Sequence, residues 1–158
     1  MPVKPETRFY RRVNNHVPHE IYRQKISALY SNGTPDFWYS GLKDGWVEFK
    51  WQPKLSRNGV DPLKLLSPLQ ALWINRRFCE GRLVLVVIGT PVGCVILENG
   101  AWNRRVAAEE FCYSVSAVSA VLTEKFHVPS EILEQGSGSY KSDVQNPHDI
   151  ATDSGHDV

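Results

Sequence analysis

The hydrophobic and polar residues at positions 45–51 alternate strictly, which predicts a β-strand with two different faces. Trp46, Glu48 and Lys50 share one face, and the apolar residues between them share the other. The preceding segment, residues 36–39, is aromatic and follows a turn rich in Asn, Gly and Pro, so it predicts a second strand. Residues 41–45, which begin and end with glycine, predict a short hairpin loop between the two segments.

Three other segments place apolar residues at the 3.6-residue spacing of amphipathic helices. The first is residues 5–17 and the third is residues 106–126. The second begins at residues 67–70, where a serine cap, a proline in the first turn and a glutamine at the capping-box position are typical of a helix start. It should end near Gly81, with its apolar side chains facing a core. These side chains are Leu69, Leu72, Trp73 and Phe78.

Two more apolar runs, residues 83–88 and 92–97, predict buried strands on either side of a tight turn. A polar loop, residues 52–64, connects the alternating strand to the second helix. Residues 135–158 are rich in Gly, Ser and Asp and have little to bury, so they are expected to form a disordered acidic tail. By length, residues 1–134 are expected to form one domain.

The net charge of the 158 residues is only +1, which at first speaks against a nucleic-acid partner. The charge is unevenly distributed along the chain. Residues 1–105 hold 16 basic and 8 acidic side chains, a net charge of +8, whereas residues 106–158 hold 2 basic and 9 acidic side chains, a net charge of −7. Residues 50–82 alone carry +5. This basic region has the charge expected of a surface that contacts the DNA backbone.

The cysteines and the termini suggest where the protein works. Three cysteines without a C-x-x-C spacing argue against a disulfide framework and against a zinc knuckle, so a reducing compartment is expected. The longest apolar run is interrupted by two glycines and a proline, which favours buried strands over a membrane span. The first residues lack the apolar core of a signal peptide. We therefore expect an intracellular, cytoplasmic protein without a membrane partner.

Asp36, Glu48 and Lys50 form the candidate chemical site. The predicted hairpin brings Asp36 beside Glu48, and Lys50 points to the same side as Glu48, about 7 Å along the strand. Two carboxylates this close repel each other, and Mg²⁺, which prefers oxygen ligands, would relieve the repulsion. A bound Mg²⁺ can activate water, while the lysine holds that water or the charge that develops on a phosphate. The pattern indicates phosphodiester hydrolysis.

Each motif has a simpler explanation when it is taken alone. A Glu-x-Lys pair on a strand usually faces solvent, and a Pro-Asp pair usually belongs to a turn. The combination of both motifs with strands, a tight turn before Asp36 and aromatic residues on the opposite faces favours the metal site. The tryptophans of these strands are more often core residues than stacking platforms for bases, although Trp46 shares the face of Glu48.

The motifs and their order resemble the PD-(D/E)xK nuclease superfamily. Within it they are similar to the virus-type replication-repair nucleases (VRR-NUC) and to small phage endonucleases, homing-type enzymes included. The resemblance covers roughly residues 6–97 and rests on Gly33-Thr34-Pro35-Asp36-Phe37-Trp38-Tyr39, on Trp46-Val47-Glu48-Phe49-Lys50-Trp51 and on Leu66-Ser67-Pro68-Leu69-Gln70-Ala71-Leu72-Trp73. It implies an α/β fold with a restriction-endonuclease-like core, in which helices flank a mixed central sheet, and a strand over residues 20–27.

The resemblance also implies roles for individual residues. Asp36, Glu48 and the backbone carbonyl of Phe49 would bind the catalytic Mg²⁺, for which Mn²⁺ can substitute, and Lys50 would assist hydrolysis. Glu6, in the first helix, would be an outer carboxylate that supports the metal site.

Two of the implied residues keep alternative explanations. Glu6 can equally be an acid in the first helical turn that complements the helix dipole. Gln70 would touch the site or the DNA backbone, but the capping box already explains a glutamine at this position.

The expected function is that of a Mg²⁺-dependent DNA endonuclease from a phage or a bacterium. It would be either selective for junctions and flaps or site-specific like a homing endonuclease. The candidate DNA contacts are Lys54, Arg57, Asn58, Lys64, Arg76 and Arg77. The alternative is a catalytically inactive nucleic-acid-binding module of the same fold. A protein-interaction domain that uses the helix 106–126 would explain no part of the polar site, but this helix could join two copies into a homodimer.

Overall fold

A five-stranded sheet forms the centre of the described part of the chain, which is residues 1–26 and 33–127 of a computed structural model. Its strands, in chain order and in spatial order, are β1 (Tyr22–Lys25), β2 (Phe37–Ser40), β3 (Asp44–Trp51), β4 (Leu83–Gly89) and β5 (Cys94–Leu97). Within this sheet β3 and β4 run parallel, and the other neighbouring pairs are antiparallel. The sheet is therefore mixed, which confirms the predicted fold class.

The described residues also form three α-helices and three short 3₁₀ turns. The helices are α1 (Pro5–Asn14), α2 (Pro68–Cys79) and α3 (Val115–Lys125), and the 3₁₀ turns are Pro62–Lys64, Ala101–Asn103 and Ala108–Glu110. Parallel strands need a crossover connection, and residues 52–82, which contain α2, provide it between β3 and β4. No helix in the described residues combines the length and apolar character that a membrane crossing requires.

The two faces of the sheet carry two separate cores. On one face, α1 and α3 pack against the sheet, with Phe9 and Leu122 among the buried side chains that surround Phe49. On the other face, α2 contributes the fully buried Ile74 to a core with Val86 and other residues of β4 and β5. Because side chains alternate along a strand, Phe49 enters the first core while its neighbour Glu48 points toward the α2 side.

The predicted helix 106–126 is wrong in its first half. The helix α3 begins at Val115, where the hydroxyl of Ser114 accepts a hydrogen bond from the backbone N–H of Ala117 at 3.1 Å. The residues before it form isolated bridges instead, from Val106 to Val60 and from Tyr113 to Cys94. The apolar residues of this segment do face the protein interior. The first of them, such as Val106, are buried by contacts with distant strand-like segments, which local spacing does not reveal.

The prediction that Leu69 and Leu72 face a core is also wrong, because these side chains are 51% and 66% exposed. At about 100° per residue, Leu72 lies about 160° around the helix from the buried Ile74. Trp73 and Phe78 do pack against the core that contains Ile74. The helix therefore turns a face centred on Ile74 toward the sheet and leaves two leucines in solvent.

Three other predicted elements are shorter than expected. The strand predicted over residues 20–27 is β1, which spans only Tyr22–Lys25 within the described residues. The first helix ends at Asn14 rather than at residue 17, although Val17 is still buried. The last strand begins at Cys94, and Val92 lies in the preceding turn with 74% of its surface exposed. The predicted acidic tail, residues 135–158, lies outside the described residues.

Gly59 fixes the crossover loop to the chain that leads to α3. It has a φ of +70°, and a Cβ atom at this position would lie 1.9 Å from the carbonyl oxygen of Val106. Gly81 is a matched control, with a φ of +77° but nothing within 4 Å of its Cβ position. We expect Gly81→Ala to cost about 1–2 kcal/mol, the strain of left-handed backbone alone. Gly59→Ala should cost about 1–3 kcal/mol more, because the backbone must move.

Urea denaturation of the two variants measures this difference. Equal free energies of unfolding would show that the contact between Gly59 and Val106 does not constrain the loop.

Candidate active site

The β2–β3 hairpin brings the two predicted carboxylates together. Phe37 of β2 pairs with Val47 of β3, so Asp36, the residue before β2, lies beside Glu48. The backbone also holds Asp36 from its other side, because its carbonyl accepts a hydrogen bond from the N–H of Ile26 at 2.8 Å. Asp36 therefore sits between the end of β1 and the middle of β3.

Each carboxylate accepts a hydrogen bond from the backbone of the other strand. The N–H of Asp36 donates to Oε2 of Glu48 at 3.0 Å, and the N–H of Phe49 donates to Oδ2 of Asp36 at 3.2 Å. These two bonds lock the side chains against the hairpin. They also satisfy two backbone donors that lie beyond the ladder between β2 and β3.

Glu48 is completely buried and has two further partners. Its Oε1 accepts a hydrogen bond from Nζ of Lys50 at 2.7 Å and another from Nε2 of Gln70 at 2.7 Å. A buried carboxylate without such donors would carry a large desolvation cost. Three donors therefore hold this one side chain, from the residue before β2, from β3 and from α2.

Gln70 serves the helix and the site at the same time. Its Oε1 accepts from the N–H of Ser67 at 3.0 Å, and its own N–H donates to the hydroxyl of Ser67 at 3.1 Å, which completes the predicted capping box. The amide nitrogen at the other end of the same side chain donates to Glu48. The two explanations of Gln70 are therefore compatible, because an amide carries an acceptor and a donor on different atoms.

The environment of the pair raises the pKa of both carboxyls. Burial, followed by the nearby negative charge of Asp36, raises the pKa of Glu48 to about 7, although Lys50 acts in the opposite direction. Burial also raises the pKa of Asp36, against the hydrogen bond from Phe49 and the charge of Lys50. Without a further cation, these two groups therefore resist being ionised together.

Lys50 and Glu6 complete the charges around the pair. Burial pushes the pKa of Lys50 down, but the attraction of Glu48, Glu6 and Asp36 outweighs it and holds the pKa above its usual value. Glu6 is half-buried, and burial together with the charge of Asp36 raises its pKa. Glu6 therefore lies within electrostatic range of Asp36 and Lys50, and its role as an outer carboxylate stays a prediction.

The oxygen atoms of this site are the kind of ligand that a hard divalent cation such as Mg²⁺ prefers. The hydrogen bonds above leave Oδ1 of Asp36 without a donor among the described residues. Because the N–H and C=O of one residue point to the same side of a strand, the carbonyl of Phe49 faces Asp36 as its N–H does. Within residues 1–26 and 33–127, no three His, Cys, Asp or Glu side chains group as metal ligands. Mg²⁺ keeps several waters and needs only one or two carboxylates.

The predicted DNA contacts are placed differently from one another. Lys54, Arg57, Asn58 and Lys64 are all exposed along the crossover. The carbonyl of Asn58 accepts a hydrogen bond from Arg105 at 3.0 Å, so part of this loop is anchored. At the end of α2, Arg76 and Arg77 both pair with Glu80, at 3.2 and 2.6 Å, which reduces their net positive charge.

Lys25 is a charged neighbour of the site that the sequence patterns do not reveal. Its positive charge favours the ionised forms of Asp36 and Glu6 and so opposes the burial that raises the pKa of both carboxyls. Its Nζ donates to the hydroxyl of Tyr10 at 2.6 Å and lies 4.3 Å from the centre of that ring. The signal that could have found it is the pairing of Lys25 with Phe37, which depends on a register between β1 and β2 that local patterns do not define.

No protein-family model matches the chain, and no curated protein does. Among solved structures, the chain is similar to Hjc, a Holliday junction resolvase from the archaeal hyperthermophile Archaeoglobus fulgidus. The sequence identity is 12% and the TM-score is 0.43, with 73% of this chain and 96% of the archaeal chain covered. No residue role or substrate follows from a likeness at this level.

The raised pKa of Glu48 predicts how stability depends on pH in EDTA. The folded protein binds this proton with a pKa of about 7, against an ordinary value of 4.5, so the associated stability is present below pH 4.5 and is lost as the pH rises through 7. Glu48→Gln has no such proton. Between pH 4.5 and pH 8, wild type should therefore lose on the order of 3 kcal/mol relative to this variant.

Urea denaturation of both proteins across this pH range measures the effect. A difference between wild type and Glu48→Gln that does not change with pH would contradict it. Addition of Mg²⁺ should stabilise wild type more at pH 8 than at pH 5, because protons compete with the cation for the carboxylates.

Proposed function

We propose that this chain is a divalent-metal-dependent DNA endonuclease that hydrolyses phosphodiester bonds. The observation that carries the proposal is the cluster of the fully buried Glu48 with the partly buried Asp36 and Lys50, in which Lys50 lies 2.7 Å from Glu48 and both carboxylates accept backbone hydrogen bonds. A fully buried and a partly buried carboxyl side by side, both with raised pKa values, destabilise the folded protein. Strongly perturbed groups of this kind are typical of functional sites.

The residues have distinct roles in this proposal. Asp36, Glu48 and the carbonyl of Phe49 would hold Mg²⁺, or Mn²⁺ in its place. When bound, the cation supplies a polarised water and a counter-charge for the phosphate. Lys50 holds positive charge beside Glu48, where it orients the attacking water and offsets the negative charge that develops on the phosphate oxygens. Gln70 fixes the position of Glu48.

The reaction adds the oxygen of water to phosphorus and breaks one bond between phosphorus and a bridging ester oxygen. The water loses a proton, and the departing oxygen gains one. Because the chemistry consists largely of positioning and charge stabilisation, a rigid cluster is more useful than a flexible one. The exposed basic residues of the crossover, among them Lys54 and Arg57, support the DNA backbone as the binding partner.

Two narrower forms of the activity are part of the proposal. The enzyme is either structure-selective, for junctions or flaps, or site-specific in the manner of a homing endonuclease. A phage or bacterial source, a cytoplasmic location and a homodimer that cuts both strands belong to the same proposal. The alternative is a nucleic-acid-binding module of this fold that does not cut. Salt-dependent DNA binding without cleavage in either Mg²⁺ or Mn²⁺ is the result that would establish it.

Cleavage of defined DNA substrates tests the proposal. A four-way junction, a flap, a linear duplex and a plasmid are incubated with Mg²⁺, and the ends of the products are mapped. We expect Mg²⁺-dependent cutting by wild type and a loss of about 10²-fold or more in Asp36→Asn, Glu48→Gln and Lys50→Met. Lys43→Met is the matched control, because Lys43 lies in the exposed turn before β3, at the opposite end of the strand from Lys50.

The pattern of products separates the two forms of activity. Preferred cutting of branched DNA indicates structure selectivity, whereas one recurring cut in a plasmid indicates site specificity. Cleavage at the wild-type rate by Asp36→Asn or by Lys50→Met would disprove the assigned roles.

A second prediction separates the two tasks of Gln70. Gln70→Glu keeps a capping-box acceptor for Ser67 but removes the donor to Glu48 and puts another carboxylate beside it. Cleavage should fall about 10- to 100-fold, as is usual when support for a metal ligand is lost. Ser67→Ala does the reverse, since it removes the helix cap and leaves the donor in place.

For Ser67→Ala we expect a loss of about 1 kcal/mol in stability and cleavage close to that of wild type. Thermal unfolding and initial cleavage rates are measured for both variants. If activity followed the helix cap rather than the donor, Gln70 would have no role in the site beyond starting α2.

A further inference from the structure

Four aromatic side chains form a row across the sheet and onto α2, and we call this row the aromatic surface. Its members are Tyr22, Trp38, Trp46 and Trp73. The rings of Tyr22 and Trp38 lie 5.8 Å apart, and those of Trp46 and Trp73 lie 5.3 Å apart. Trp38 and Trp46 connect the two pairs, because they stand opposite each other on β2 and β3.

The aromatic surface lies on the same face as the candidate active site. Trp38 is two residues after Asp36, and Trp46 is two residues before Glu48, so each tryptophan is about 7 Å along its strand from a carboxylate. On α2, Trp73 is three residues after Gln70, which places the two side chains on one side of the helix. Both strands and the helix therefore carry an aromatic residue next to a polar residue of the site.

The aromatic surface is only partly buried. Tyr22 is 55% exposed, and the three tryptophans are half-buried. A concavity of about 460 Å³ is lined by Trp38 and Trp46 together with Gln24, Lys25 and Ile26. On this face, α2 covers β4 and β5 through Ile74, whereas the surface over β1 and β2 forms this open cavity.

Positive charge accompanies the aromatic rings. The guanidinium of Arg77 lies 5.2 Å from the ring centre of Trp73, at one end of the row. Lys25 also borders the cavity, but its Nζ lies on the opposite face of the sheet, against Tyr10. Flat rings with a guanidinium at one end match a chain of bases on a phosphate backbone, because bases stack on aromatic faces and phosphates attract cations.

We infer that the aromatic surface binds unpaired DNA bases next to the phosphate held at Asp36 and Glu48. The substrate class is then DNA with single-stranded nucleotides beside the cut, such as a flap or an opened junction, rather than fully paired duplex. This inference rests on the proposed function for the position of the phosphate. The stacking itself is separate, because it needs neither a metal ion nor cleavage.

The first test uses the wild-type chain and changes the DNA. Binding of a fluorescein-labelled single-stranded oligothymidylate is measured in EDTA and compared with that of an oligonucleotide of the same length whose sugars lack bases. The charge of the two oligonucleotides is equal, so only stacking differs. We expect about 5- to 150-fold weaker binding of the abasic strand. Equal affinity for the two strands would overturn the inference.

The second test changes the protein. Trp38→Leu and Trp46→Leu should each lower affinity for oligothymidylate by at least about fivefold, and Trp38→Phe should retain most of it, because a ring remains. Trp51→Leu is the matched control, since Trp51 is half-buried on the same strand as Trp46 but packs on Phe9 at the opposite face. Thermal unfolding verifies that each variant is folded. Equal losses in all three leucine variants would also overturn the inference.

The outcomes distinguish this inference from the proposed function. Cleavage in Mg²⁺ without any preference for unpaired bases would retain the nuclease and reject the aromatic surface as its binding site. Base-dependent binding without cleavage would retain the aromatic surface and reject the nuclease. If a second copy of the chain covered the surface instead, sedimentation would show a dimer that Trp46→Leu dissociates, and binding would not distinguish the two oligonucleotides.

Discussion

The structure depends on two carboxylates that the β2–β3 hairpin holds side by side. The side chains of Asp36 and Glu48 each accept a hydrogen bond from a backbone N–H of the opposite segment, so movement of either side chain would leave one of these donors without its acceptor. A slip of one residue in the register would turn Glu48 to the other face of the sheet, among the aromatic side chains of the first core. The hairpin register, the start of α2 and the position of Lys50 are all tied to this one interaction.

The same interaction is a cost to the fold. A carboxyl whose pKa is raised by burial is less stable as an anion in the folded protein than in water, and Glu48 has this property despite three donors. Packing in the two cores on either side of the sheet must therefore offset the free energy by which the site destabilises the folded protein. Proteins break local rules of this kind mainly where function requires it. The cost is itself an argument that the cluster is more than a surface ion pair.

The sequence predicts the parts of the site that depend on local spacing. Strict alternation places Glu48 and Lys50 on one face, and the Ser-Pro-x-Gln start of α2 predicts the capping box. Contacts across chain segments are not predictable in this way. Lys25 comes near Asp36 through the register of β1 on β2, and Leu72 is exposed because the sheet meets the helix at Ile74. The predicted start of the third helix is wrong for the same reason, because bridges to distant residues compete with the helical pattern.

The helix α2 explains why the carboxylates and the aromatic surface belong together. A parallel pair of strands requires a crossover, and this one returns α2 over the face that carries Glu48. Gln70 and Trp73 are one turn apart on the helix, so one contacts the carboxylate while the other contacts Trp46. A shift of α2 that withdrew Gln70 from Glu48 would also separate the two tryptophan rings. Positioning of the chemical groups and the shape of the aromatic surface are thus controlled by one element.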